Sequence, residues 1–309
     1  MVYVLRDTRL AELYRRTSGA VAFIDESFRP QPIGGQAPFY SMTALIMPRS
    51  DIDQARQDVV RIAGRYYWHT TEAFALGNFS RIDEMIDYIA GHTDWVVTSL
   101  ETTMAVGGEN RVRQTCLAAL ARHVSMGGGA EAVRLLVADA NTEPAVNKAD
   151  EATIAALRQT GDVPRPVTLW HARMADEAVL WLADAASWST YRAIDAGDPC
   201  WAEPIAGIQT ILDAQLGWPL EMKQPQAAVA PRPSGDGPHL GPAQPSAIAG
   251  GEAVCCLPFN LAQLRAQAKR RRQAAGLAGW SQGNTPEAIE RRRFARRGQD
   301  DATPGLAGG

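Results

Sequence analysis

The sequence predicts an α/β domain followed by a polar tail, and three observations carry this. Apolar runs of strand length alternate with segments of helical apolar spacing as far as residue 216. Two of the strand-like runs are joined by a loop containing Gly and Pro, as in an antiparallel pair. After Glu221 the chain becomes rich in proline and then in arginine.

In chain order, residues 7–16 read as a short helix. Residues 19–25 (GAVAFID) form a continuous apolar run, consistent with a strand buried on both faces. Residues 39–47 (FYSMTALIM) form a second strand, stopped by Pro48. Residues 51–67 place Ile52, Ala55, Val59, Ile62 and Ala63 on one helical stripe, and Ser80 is positioned to cap a helix reaching about Ala90. A third strand spans 95–100 and a helix 111–124, and the glycines at 127–129 end that region. Residues 133–139 (VRLLVAD) form a fourth strand, 150–159 a helix and 167–170 a fifth, short strand. The segment 174–192 is apolar nearly all round, which predicts a buried helix, and 204–216 reads as a last amphipathic helix.

The expected organisation is a domain over 1–220, a linker over 221–258 and a basic tail over 259–309. Seven of the nineteen prolines fall between 225 and 258, too few apolar residues separating them to offset the entropy of ordering. The tail holds ten Arg/Lys against four Asp/Glu, a net +6, so residues 1–258 carry −9 of the overall −3. A basic tail on an acidic body suits a polyanionic partner, contacted by Lys269, Arg270, Arg271 and Arg272 and by Arg291, Arg292 and Arg293; the same charges also suit a solubilising segment. No apolar stretch is long enough to span a membrane, and the start is too charged for a secretory leader, so a cytoplasmic chain is expected. Cys116, Cys200, Cys255 and Cys256 match no zinc spacing and are expected to be plain thiols.

Three acidic residues stand out by position. Asp25 ends the first strand, Asp139 ends the fourth, and Asp184 lies within the apolar helix, with Glu177 seven residues before it. A carboxylate buried among aromatic residues is costly unless it is paired or holds a cation. If the first and fourth strands are parallel neighbours, Asp25 and Asp139 emerge side by side, and the helix can deliver Asp184 to the same point. Such a set suits Mg²⁺ or Mn²⁺, hard cations that favour oxygen ligands. Each residue also has a plainer role open to it: a turn for Asp25, Glu26 and Asp139, an arginine partner such as Arg192 for Asp184, a helix-start charge for Glu177. His69 and Glu72, in WHTTE, form a second group that suits a general base or a phosphate-orienting pair, or else a helix start packed on Trp68. His171 is a further candidate, and Glu109 a further carboxylate.

The series AFIDES (22–27), FYSMTALIMP (39–48), HTTE (69–72), VRLLVAD (133–139) and DEAVLWLADAASW (176–188) resembles the domain-of-unknown-function 3800 family of the ribonuclease H-like superfamily. The resemblance covers roughly residues 18–193. It implies a mixed five-stranded sheet in the order 3-2-1-4-5, flanked by helices, and a metal-dependent nuclease. Asp25, Glu26, Asp139, Glu177 and Asp184 would then supply the metal ligands, assisted by His69 and Glu72. Phe28 stands where the family carries a small residue, which would narrow the approach to Asp25. The first reading is therefore a phosphodiesterase acting on DNA or RNA. A catalytically silent nucleic-acid or protein-binding module on the same scaffold is the alternative, and a hydrolase of a small phosphorylated molecule a third.

Overall fold

Gly19 sets the entry to the first strand. Its φ of +93° is a left-handed value, and a Cβ there would come within 2.8 Å of the Ala132 carbonyl oxygen. The computed structural model of the chain describes residues 5–32, 37–104, 108–126, 132–220 and 261–274. From Gly19 the apolar run continues as β1 (Ala20–Arg29), longer than the sequence suggests. It pairs antiparallel with β2 (Phe39–Pro48) through ten residue pairs, from Ala20↔Pro48 to Arg29↔Phe39. Within the connecting loop, 33–36 lie outside the described residues, as do 127–131 with the predicted glycine stop.

β2 in turn pairs antiparallel with β3 (Trp95–Glu101). On its other edge β1 runs parallel to β4 (Val133–Asp139), and β4 parallel to β5 (Thr168–Ala172). These five strands reproduce the ribonuclease H-like order that the resemblance implied. Among the described residues the sheet nevertheless has six strands, ordered β5-β4-β1-β2-β3-β6. The extra one is β6 (Gln209–Asp213), parallel to β3 from Val96↔Gln209 to Leu100↔Asp213. This corrects the helix expected over 204–216. A short apolar run fits either period, and here pairing with a distant strand overrides the helical spacing. Beyond β6 the chain folds back along it, forming an antiparallel bridge between Leu212 and Pro219.

Helices cover both faces of the sheet. α1 (Thr8–Arg16) is capped by Asp7, whose carboxylate accepts from the Arg9 and Leu10 amides. α2 (Ile52–Ala63), α3 (Thr70–Ala75) and α4 (Phe79–His92) follow β2. α5 (Glu109–Ser125) and α6 (Pro144–Thr160) flank β4, and α7 (Leu180–Asp195) follows β5. One core layer joins Val21, Phe23, Leu45, Leu135 and Val137 to α2, α4 and α7. The other joins Ala22, Ile24, Ala44 and Leu136 to α5 and α6. Each fully buried large side chain in these layers contributes about 1.5–3 kcal/mol by leaving water. α7 begins six residues later than 174 because residues 173–179 are held in turns. Asp176 donates its amide to the Arg173 carbonyl at 2.8 Å, and the Glu177 carboxylate accepts the Val179 amide at 3.0 Å.

The chain divides into two units, Met1–Leu261 and Ala262–Gly309. The described part of the second is almost the whole of α8 (Leu261–Ala274). Residues 221–260 and 275–309, with the expected linker and the arginines at 291–293, lie outside the described residues. No helix among the described residues is long and apolar enough to cross a membrane.

Candidate active site

Side chains alternate across a strand, so Val21, Phe23, Asp25 and Ser27 share one face of β1, and Leu135, Val137 and Asp139 share the matching face of β4. The parallel ladder between these strands ends at Ile24↔Ala138, one residue before both aspartates. Asp25 and Asp139 therefore leave the sheet side by side, at the point where its parallel half meets its antiparallel half. α7 crosses this same face and carries Asp184 in its second turn.

Asp184 is buried, and a dedicated clamp holds it. The backbone amide of Thr70 donates to its Oδ2 at 2.7 Å, and the Thr70 hydroxyl donates to the same oxygen at 2.5 Å. Thr70 opens α3, and the indole of fully buried Trp68 donates to the Thr70 hydroxyl at 2.9 Å. Ser187 lies one helical turn beyond Asp184. Its hydroxyl lies 2.9 Å from that of Ser27 and favours the ionised form of Asp25. Ser27 and Thr70 lie within the motifs AFIDES and HTTE of the sequence, the first as a motif or turn residue and the second as a helix-start residue, while Ser187 carries no expectation. Ser187 was readable there, because three residues along a helix brings a side chain back to the same face as Asp184.

The electrostatics of the three aspartates agree with their convergence. Burial pushes the Asp25 carboxyl well above the usual range, and the charges of Asp184 and Asp139 raise it further. Asp139 is raised by burial and by Asp184, against the amides of Ala140 and Met174, which favour its ionised form. Asp184 is raised by burial in spite of His69 and the Thr70 hydrogen bonds, and Glu72 adds to the rise. Three carboxyls thus oppose one another's ionisation, an arrangement that a cation relieves.

His69 and Glu72 belong to this neighbourhood. The His69 Nδ1 is 4.0 Å from Asp184 Oδ1 and is buried without a hydrogen-bond partner, while the ring keeps 39% of its surface exposed. Glu72 is exposed in the first turn of α3. Tyr67, exposed on the loop before α3, is also within reach of the charges of Glu72, Asp184 and Asp139.

Other expectations require correction. Glu177 is fully buried, and its two oxygens accept from the Arg56 guanidinium at 3.0, 3.1 and 2.7 Å. They also accept from the Tyr14 hydroxyl at 2.9 Å, so this carboxylate is committed to the core and has no oxygen left for a metal. Glu26 points to the opposite face of β1 from Asp25, where Tyr40 and Arg113 donate to it. Phe28 is on that face too, stacked on Tyr40 at 5.2 Å, and does not narrow the approach to Asp25. His171 lies 3.2 Å from Asp150, which Arg113 holds at 2.9 Å; it completes the Glu26–Arg113–Asp150 network. Arg192 is paired with Asp198 at 2.7 Å and lies over the Phe74 ring, leaving Asp184 to Thr70. Lys269 and Arg270 are exposed and Arg271 partly buried on α8; the Arg272 side chain lies outside the described set.

A cavity of about 220 Å³ opens where β1 and β4 end, lined in part by Asp25, Glu26, Arg113, Asp139 and Asn141. A larger depression of about 400 Å³ along α2, lined by Gln57, Asp58 and Arg61, contains none of the three aspartates. Among the described residues no group of three or more His, Cys, Asp or Glu is already drawn together to hold a metal ion. The carboxylate oxygens of the three aspartates are donors of the kind a hard divalent cation favours.

No protein-family model matches the chain, and no curated protein matches its sequence. Among solved structures the chain is similar to ribonuclease H2 from Pyrococcus horikoshii OT3. The identity is 13%, over 55% of this chain and 70% of that one, with a TM-score of 0.32. A likeness at that level speaks to neither activity nor substrate.

Proposed function

We propose that this chain is a metal-dependent nuclease that hydrolyses phosphodiester bonds of DNA or RNA in the cytoplasm, and that it belongs to the family its motifs resemble. The observation that carries the proposal is the convergence of Asp25, Asp139 and Asp184, from two parallel strand ends and a buried helix, with all three carboxyls raised. Perturbed carboxyls gathered at a strand-end crevice are a mark of functional sites. Asp25, Asp139 and Asp184 would hold Mg²⁺ or Mn²⁺, and a pair of such ions would supply water activation and leaving-group stabilisation. The chain's own groups prepare the site. Thr70 engages one oxygen of Asp184 and leaves Oδ1 turned toward His69. Ser187 favours the ionised form of Asp25. His69, with its unpartnered Nδ1, accepts a proton from, or donates one to, a phosphate or water at the crevice. Glu72, exposed beside it, helps orient that water. The basic residues of α8 and the tail raise the local concentration of a polyanion.

The test is incubation of the purified protein with single- and double-stranded DNA and RNA, in Mg²⁺, Mn²⁺ or EDTA, beside Asp25→Asn. Cleavage in metal that disappears in EDTA and in the variant is the expected result. Cleavage that survives either treatment overturns the proposal. Binding without cleavage by the unsubstituted protein favours the silent module instead.

A further inference from the structure

The loop that clamps Asp184 also carries an aromatic side chain that reaches solvent, Tyr67. Residues 67–69 lead into α3, which opens at Thr70, and His69 is extended at φ −146° and ψ 123°. Burial alternates from Tyr67 to Thr70: Tyr67 exposed, Trp68 buried, His69 partly exposed, Thr70 buried. Tyr67 and His69 flank buried Trp68 and both reach solvent, and the His69 Nδ1 is 4.0 Å from Asp184. Consistent with that position, burial and the charges of Glu72, Asp184 and Asp139 push the Tyr67 phenol up.

The loop is firmly held. Trp68 is buried and hydrogen-bonded to Thr70, Thr70 to Asp184, and the Arg65 guanidinium lies over the Trp68 ring at 5.9 Å. Tyr67 nevertheless keeps 41% of its surface in solvent. A rigid loop presenting an apolar ring to water at the rim of a carboxylate cluster is preorganised for a flat ligand.

We propose that Tyr67 is a substrate-positioning residue whose ring stacks on an unpaired base next to the phosphate to be cleaved, making single-stranded nucleic acid the preferred substrate class. This rests on the nuclease reading. Inside a duplex both faces of a base are covered by its neighbours, whereas an unpaired base offers a free face to an aromatic ring. Stacking of one base on one aromatic ring corresponds to about 5- to 150-fold in affinity.

The experiment measures fluorescence anisotropy of a labelled single strand, the matching duplex and an abasic strand of equal length, in Mg²⁺. The proteins are full-length Asp25→Asn and the same chain with Tyr67→Ala, Tyr67→Phe or Tyr66→Ala added. The expected result is preference for the based single strand, loss of about 5- to 150-fold on Tyr67→Ala, retention in Tyr67→Phe and Tyr66→Ala, and no change for the abasic strand. In the unsubstituted background, Tyr67→Ala raises KM more than it lowers kcat, with an unchanged melting temperature. Affinity unaffected by Tyr67→Ala, a Phe variant as weak as the Ala variant, equal loss on the abasic strand, or no binding of the single strand by Asp25→Asn overturns the proposal. The two readings fail separately. Tyr67-dependent base binding in a protein that never cleaves sinks the nuclease and keeps the stacking; cleavage with Tyr67-independent binding does the reverse.

Discussion

Replacing Glu177 with Gln separates a ligand from a strut. Glu177 is fully buried and the Arg56 side chain is 6% exposed, so the pair is held out of water on both sides. Three guanidinium contacts, the Tyr14 hydroxyl and the Val179 amide converge on this one carboxylate. The Tyr14 phenol is raised well above its usual value, by burial first and by the Glu177 charge next, so it remains a donor. Gln preserves shape but strands the Arg56 charge in the interior with only exposed Asp53 beside it. Removing one member of a buried ion pair costs about 3–5 kcal/mol. For a domain of this size each kcal/mol moves the melting temperature by roughly 2–4 °C, so a fall of about 6–20 °C is expected. Differential scanning calorimetry with EDTA and with Mg²⁺ reads it. The double variant Arg56→Met/Glu177→Leu is expected to lose less than Glu177→Gln alone, because no charge is left unpaired. A Glu177→Gln protein that melts like the parent in EDTA but has lost its stabilisation by Mg²⁺ refutes the reasoning, and returns Glu177 to the metal.

Asp25→Asn is expected to stabilise the metal-free protein. A carboxyl raised in the fold binds more protons folded than unfolded, so its contribution to stability declines as pH climbs from 3.8 through the folded value. The melting-temperature gain of the variant over the parent in EDTA should therefore be small near pH 3.8 and grow towards neutral pH, and a gain independent of pH counts against the convergence of charges. Thr70→Val removes the hydroxyl that fixes Asp184, and the loss of such an outer partner is expected to weaken divalent-cation affinity or activity about 10- to 100-fold, read by metal titration of cleavage. Arg113→Met leaves Glu26 and Asp150 without their shared guanidinium, and urea unfolding should show a loss of about 3–5 kcal/mol.

Much of this was legible in the sequence because it rests on local pattern. The runs GAVAFID and VRLLVAD have the length and apolar continuity of buried strands, and an aspartate at the end of each suggested a shared crevice if the two strands paired in parallel. Asp184 was legible because an acid within WLADAASW requires a reason. What the sequence concealed depends on which partner reaches a side chain through space. Glu177 sits on the same helical stripe as Asp184 in an ideal helix, yet the chain does not become helical until Leu180, and the Arg56 guanidinium arrives from 121 residues away. Glu26 and Asp25 are neighbours in sequence and on opposite faces in the sheet. β6 was misread because five residues cannot declare a period, and its pairing partner Val96–Leu100 lies more than a hundred residues earlier.

The sixth strand has a further consequence for how the protein meets copies of itself. An open sheet ends in a row of unpaired amides and carbonyls, and that row templates aggregation. Here the outer rim of β6 is taken up by the chain's own return: the Leu220 amide donates to the Ile211 carbonyl at 2.7 Å and the Asp213 amide to the Trp218 carbonyl at 3.0 Å. The returning segment contains Pro219, which has no amide hydrogen to offer outward. At the opposite rim β5 is only five residues long. A stray strand therefore finds little to zip onto at either end, and the sheet grows no further than its own sequence allows.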